Sequence, residues 1–93
     1  MGKVSAFAQD GLELFFNSSD HLAPHFHAER AGGWEVRVFF LRDEASMVEI
    51  KWALKAPTKK ELKRLCAAAA QVRPQLLAEW EQKVIVTAPG AEE

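Results

Sequence analysis

Apolar and polar residues alternate over three stretches of this chain, then give way to a helical repeat after Pro57. Leu12, Leu14 and Phe16 fall on one side of the first stretch. Trp34, Val36, Val38 and Phe40 share a side of the second, and Val48, Ile50, Trp52 and Leu54 a side of the third. A period of two predicts strands with one dry face. Residues 25–30 predict another strand, because Gly32-Gly33 separates them from Trp34. Residues 3–8 predict a short leading strand, while Asp10-Gly11 and Asn17-Ser18-Ser19-Asp20 are turn chemistry. Thr58 and Glu61 have the spacing of a capping box, and Leu62, Leu65, Cys66 and Ala69 follow at helical spacing. Pro74 bends that helix or starts a second one, along which Leu76, Leu77 and Trp80 continue the apolar stripe. Residues 83–87 predict a short last strand, able to offer an edge for dimerisation, and residues 89–93 a flexible acidic tail.

The hairpin register follows from which side chains would be buried. A two-residue loop at Gly32-Gly33 sets His25 and His27 opposite Phe40 and Val38, on the apolar face. A three-residue loop over 31–33 instead pairs Phe26 with Val38 and Ala28 with Val36. A slip of one residue reverses every side chain, so the second arrangement is favoured. A turn at Arg42-Asp43-Glu44 sets Arg37 beside Glu49 and Glu35 beside Lys51, matching opposite charges. The expected fold is α+β: a small antiparallel sheet of three to five strands, packed on one face by a C-terminal helical segment. The other face is expected to be wet and to carry His25, His27, Glu35, Arg37, Glu49 and Lys51. Trp34, Trp52 and Trp80 are assigned to the core.

The 93 residues suit one domain over 1–93, with its core about 3–82. Hydrophobic residues at 48% and charged residues at 27% are ordinary globular usage, which argues against a disordered chain. A net charge of -1 gives no global attraction to nucleic acid or to an anionic membrane. The single cysteine, Cys66, excludes an intrachain disulfide and suits a reducing compartment; it reads as a small core residue on the helix stripe. With no secretory leader pattern and no apolar run of membrane length, the expected location is the cytoplasm.

The chemistry concentrates in residues 20–27, Asp20-His21-Leu22-Ala23-Pro24-His25-Phe26-His27, which hold all three histidines. Alternate residues of a strand share a face, so His25 and His27 project the same way. Neutral imidazoles bind zinc and other divalent transition metals, and His21, His25 and His27 are the candidate ligands. Asp20 or Glu29 could complete such a site or orient a ring. A metal-free alternative uses His25 and His27 as general base and acid, with Arg37 or Lys51 stabilising a phosphate, in a ribonuclease-like arrangement. The plain structural alternative has the histidines bonding loop carbonyls and holding the turn.

The same stretch, with Ala28 and Glu29, resembles the signature of the bacterial domain of unknown function family 4160, roughly D-H-x-P-P-H-F-H before a strand. The following strands, and a helix ending in Leu76 or Leu77 and Trp80, are similar to that family over residues 12–80. Ala23 departs from the pattern, where the family has a second proline. The resemblance implies a small bacterial protein often encoded beside another small protein, in a toxin–antitoxin-like pair. It marks Asp20, His21, Pro24, His25, Phe26 and His27 without giving any of them a catalytic role. The expected function is therefore a partner-binding regulatory module, more an interaction domain than an enzyme. The alternative is a metal-dependent hydrolase or a histidine-based ribonuclease using His21, His25 and His27.

A basic run forms the remaining feature. Lys55, Lys59, Lys60, Lys63 and Arg64, preceded by Lys51, include two ridges at i, i+4 spacing on the helix. They are candidate phosphate-backbone contacts, or simply a solvated helix face.

Overall fold

The computed structural model describes residues 2–17 and 23–83. Five strands, β1 (Gly2–Lys3), β2 (Glu13–Phe16), β3 (Phe26–Arg30), β4 (Trp34–Val38) and β5 (Val48–Ala53), form one antiparallel sheet in chain order. Two helices, α1 (Lys59–Gln71) and α2 (Arg73–Lys83), follow it. The α+β architecture is the expected one. The leading strand is shorter than 3–8, and β3 begins at Phe26, leaving His25 just ahead of it.

The β3–β4 hairpin has the three-residue loop. Phe26 pairs with Val38, His27 with Arg37, Ala28 with Val36, Glu29 with Glu35 and Arg30 with Trp34. Gly32 sits at φ +74, a conformation open to glycine, and the Gly33 N–H donates to the Arg30 carbonyl at 2.9 Å. Phe26, Ala28, Val36, Val38, Leu14 and Phe16 thus point to one face, where Leu65, Cys66, Ala69 and Leu76 of the helices bury them.

The β4–β5 pairing departs from simple alternation. Arg37 lies opposite Glu49 and Val36 opposite Ile50, but a bulge between Glu35 and Val36 sets Glu35 opposite Trp52, not Lys51. The extra residue carries Trp52 off the apolar face and turns its indole toward Glu35. Ile50 and Leu54 are 52% and 83% exposed, so the expected dry face stops short at this edge.

Thr58 caps α1 with the full reciprocal box: the Glu61 N–H donates to Thr58 Oγ1 at 3.0 Å, and the Thr58 N–H donates to Glu61 Oε1 at 2.9 Å. Thr58→Ala should cost about 1 kcal/mol in a urea titration, and Thr58→Ser much less. Pro74 stands in the first turn of α2, where its missing N–H costs no helical bond. Arg73 ties that helix to the connection between β4 and β5, donating through Nε to the Phe40 carbonyl at 2.7 Å and through Nη2 to the Arg42 carbonyl at 2.9 Å.

Lys83, expected to open a strand, is the last residue of α2. A basic side chain is favourable at a helix C-terminus, and its Nζ donates to Glu79 at 3.2 Å and to the Lys3 carbonyl at 2.7 Å. The rest of the expected 83–87 strand and the 89–93 tail lie outside the described residues.

Candidate functional site

Strand parity holds, but the wet face does not. Phe26 is fully buried on the helix side, and His27 and Phe15 meet on the opposite side. Yet His25 is 0% exposed and His27 1%. Aromatic rings enclose them. Phe15, directly across from His27, stacks on its ring with centroids 5.1 Å apart and planes 9° apart. Phe39 lies 4.9 Å from the His25 ring, and Trp80 of α2 reaches the same ring at 5.5 Å. The two imidazoles are themselves 5.1 Å apart, edge to face.

The polar contacts fix the ring orientations. His25 Nδ1 lies 2.8 Å from the Ala23 carbonyl, which only accepts, so Nδ1 carries the proton. His27 Nδ1 donates to Glu35 Oε2 at 3.0 Å. Glu35 was expected on an open surface but is 6% exposed. Its other oxygen accepts from Trp52 Nε1 at 3.2 Å, and Lys51 Nζ lies 3.3 Å from Oε2. Burial by itself pushes the Glu35 carboxyl up. The Lys51 ammonium and the Trp52 and His27 hydrogen bonds outweigh it and hold the group below its ordinary range.

One sequence signal pointed to the second buried layer. Phe15-Phe16 and Phe39-Phe40 are adjacent pairs, and adjacent strand residues face opposite ways. Phe16 and Phe40 join the helix-side core, so Phe15 and Phe39 were free to roof the histidines. Glu35 carries no comparable signal.

Arg37, the third catalytic candidate, is half-buried and pairs in register with His27 on one side and Glu49 on the other. Asp20 and His21 lie outside the described residues. Among the described residues, no three His, Cys, Asp or Glu side chains are placed to hold one metal ion. Lys55, Lys59, Lys60, Lys63 and Arg64 are all exposed, on α1 and the segment before it. Glu61, the acid among them, is ion-paired with Arg30 at 2.7 Å. Cys66 is buried as expected, and burial, with the Glu44 carboxylate adding to it, pushes its thiol up and disfavours the reactive thiolate.

With the five-strand sheet and the histidine segment in place, the comparison with known families is decisive: the family described as a domain of unknown function, DUF4160, matches residues 11–81. The chain belongs to the DUF4160 family. No curated protein and no solved structure matches it. In this DUF4160 chain the match takes in the sheet from the turn at Gly11, the histidines and nearly all of both helices. No helix among the described residues of this DUF4160 chain is long and apolar enough to cross a membrane.

Proposed function

We propose that this chain is a partner-binding regulatory module whose histidines are structural and whose docking surface is the sheet face left open by the helices. The observation that carries this reading is the enclosure of His25 and His27, each engaged through Nδ1 and packed among aromatic rings. A general acid or base must reach its substrate, and groups this deeply covered are poorly placed to do so.

Beyond the roofed histidines, the same sheet face carries Glu13 and Glu29 directly opposite each other on β2 and β3. A shallow cleft of about 390 Å³ runs beside them, lined by Gly2, Lys3, Glu13, Leu14, Phe15 and Glu29. Two carboxylates facing each other across a ladder repel. A partner that inserts a lysine or arginine between them, with an apolar group against Phe15, relieves that repulsion. The family resemblance nominates the occupant: a small protein encoded nearby, the other half of a toxin–antitoxin-like pair.

Calorimetry with that neighbour's product tests the reading. Glu13→Lys/Glu29→Lys should weaken binding at least about tenfold, given the cost of like charges across an interface. Equal affinity for the variant, or no binding by the native chain, contradicts it.

One observation favours the metal-dependent alternative. Metal-bound histidines usually give their second ring N–H to a carbonyl or carboxylate, and both Nδ1 contacts have that form. Zinc analysis of untagged protein separates the two readings. One zinc per chain, lost in His25→Ala/His27→Ala, would replace the module reading with a metal centre that His21 could complete. No binding at micromolar zinc removes that alternative.

A further inference from the structure

β5 stands at the edge of the sheet, and among the described residues nothing pairs with its outer side. The ladder shows which backbone groups face out. The Phe39 N–H donates to the Met47 carbonyl at 2.7 Å, so in the same register Arg37 and Glu49 form the next inward-bonded pair. Val48 and Ile50 then turn their N–H and C=O groups away from β4. Beside them lies a groove of about 470 Å³ between β5 and α1, lined by Glu44, Ala45, Val48, Ile50, Leu62, Lys63 and Cys66.

Exposed edges are commonly blunted by charge. Here the charges instead suit a copy of themselves. Glu49 and Lys51 flank Ile50, and both side chains lie on the face away from the helices, where Lys51 meets Glu35 and Glu49 meets Arg42. When two β5 strands run antiparallel with Ile50 opposite Ile50, each Glu49 falls opposite the other copy's Lys51. Centring the pair on Glu49 sets carboxylate against carboxylate, and centring it on Val48 sets Glu49 opposite Met47. Of these registers, only the one about Ile50 sets unlike charges opposite each other, adding to the Lys51–Glu35 and Glu49–Arg42 pairs within each chain, and it also uses the outward backbone groups of Ile50.

We propose that a second copy of this chain docks edge to edge on β5, antiparallel about Ile50, joining two five-stranded sheets. The two-fold axis of such a pair runs perpendicular to the sheet, so both α1 helices lie on the same side. The two Ile50 side chains, each 52% exposed in the single chain, then close the β5–α1 grooves against each other. The bulge beside Lys51 ends the regular ladder and keeps the pairing short. The Glu13–Glu29 cleft on β2 and β3 stays clear, so this contact is independent of the partner surface proposed above.

Sedimentation velocity over a micromolar-to-millimolar series reads the outcome. The native chain should dimerise. Ile50→Lys, at an exposed position that leaves the core intact, should weaken the dimer at least tenfold. Glu49→Lys should do the same, and so should Lys51→Glu. An equimolar mixture of those two charge variants should dimerise, because each then meets its opposite. A native chain that stays monomeric throughout, or a dimer indifferent to Ile50→Lys, overturns the proposal. So does a mixture that stays monomeric while circular dichroism shows both variants folded. If Lys51→Glu fails to fold beside Glu35, Ile50→Lys decides alone. Loss of the dimer with neighbour binding intact, or the reverse, tells this contact apart from the partner site.

Discussion

Glu35→Ala should lower the unfolding free energy by about 2 kcal/mol, the middle of the range for leaving a buried polar group without its hydrogen-bond partner. The variant strands more than a salt bridge. Glu35 accepts from His27 Nδ1 and Trp52 Nε1, and the Lys51 ammonium sits on the same carboxylate. With the acceptor gone, the His27 N–H is left in a site 1% exposed, and an unmet buried donor costs about 1–3 kcal/mol. Glu35→Gln keeps an acceptor oxygen and should lose less. A loss under about 0.5 kcal/mol, the range of an ordinary surface change, would show that this network does not hold the sheet.

The same carboxylate sets a pH dependence. Its folded pKa lies below the ordinary 4.5, because the Lys51, Trp52 and His27 contacts outweigh the opposing effect of burial. Folding therefore favours the deprotonated form. The contribution is complete above the unfolded pKa and is lost as pH falls through the folded value. Urea midpoints should drop on the acid side of 4.5 in the native chain, and Glu35→Gln should flatten that limb.

Phe26→Ala should be still more damaging, at about 4 kcal/mol, the middle of the range for emptying a buried phenylalanine site. Phe26 is fully buried opposite Val38, with the Phe7 ring 5.7 Å away and the Phe40 ring 6.3 Å away. It is also the residue whose inward direction sends its neighbouring histidines the other way. Guanidinium unfolding of Phe26→Ala and Phe26→Leu checks the figure, with the leucine variant recovering most of the loss. Near-native stability for Phe26→Ala would mean that the helix-side core does not depend on this strand.

Much of this arrangement was legible in the order of residues. The hairpin loop over 31–33 followed from asking which register keeps Phe26 and Ala28 with the valines, because parity admits only two answers. The capping box at Thr58 and Glu61 was visible because its chemistry is local. What escaped was non-local. The bulge that turns Trp52 toward Glu35 follows from how β5 meets β4, and the alternation of Val48, Ile50 and Trp52 suggested an unbroken strand. The second buried layer was missed because a histidine on a polar-looking face reads as solvated until something covers it. Its covers come from Phe15, Phe39 and Trp80, far apart in the chain. Glu35 likewise gained its role only through partners on the two strands that flank its own.

His25 and His27 are interior groups tethered through Nδ1, and imidazole-selective proton–nitrogen NMR in water reads that tether at the ring nitrogens. Two slowly exchanging ring N–H signals, both assigned to Nδ1 of these residues, are the predicted result. Ring protons lost to rapid solvent exchange, or carried on Nε2 alone, would contradict it.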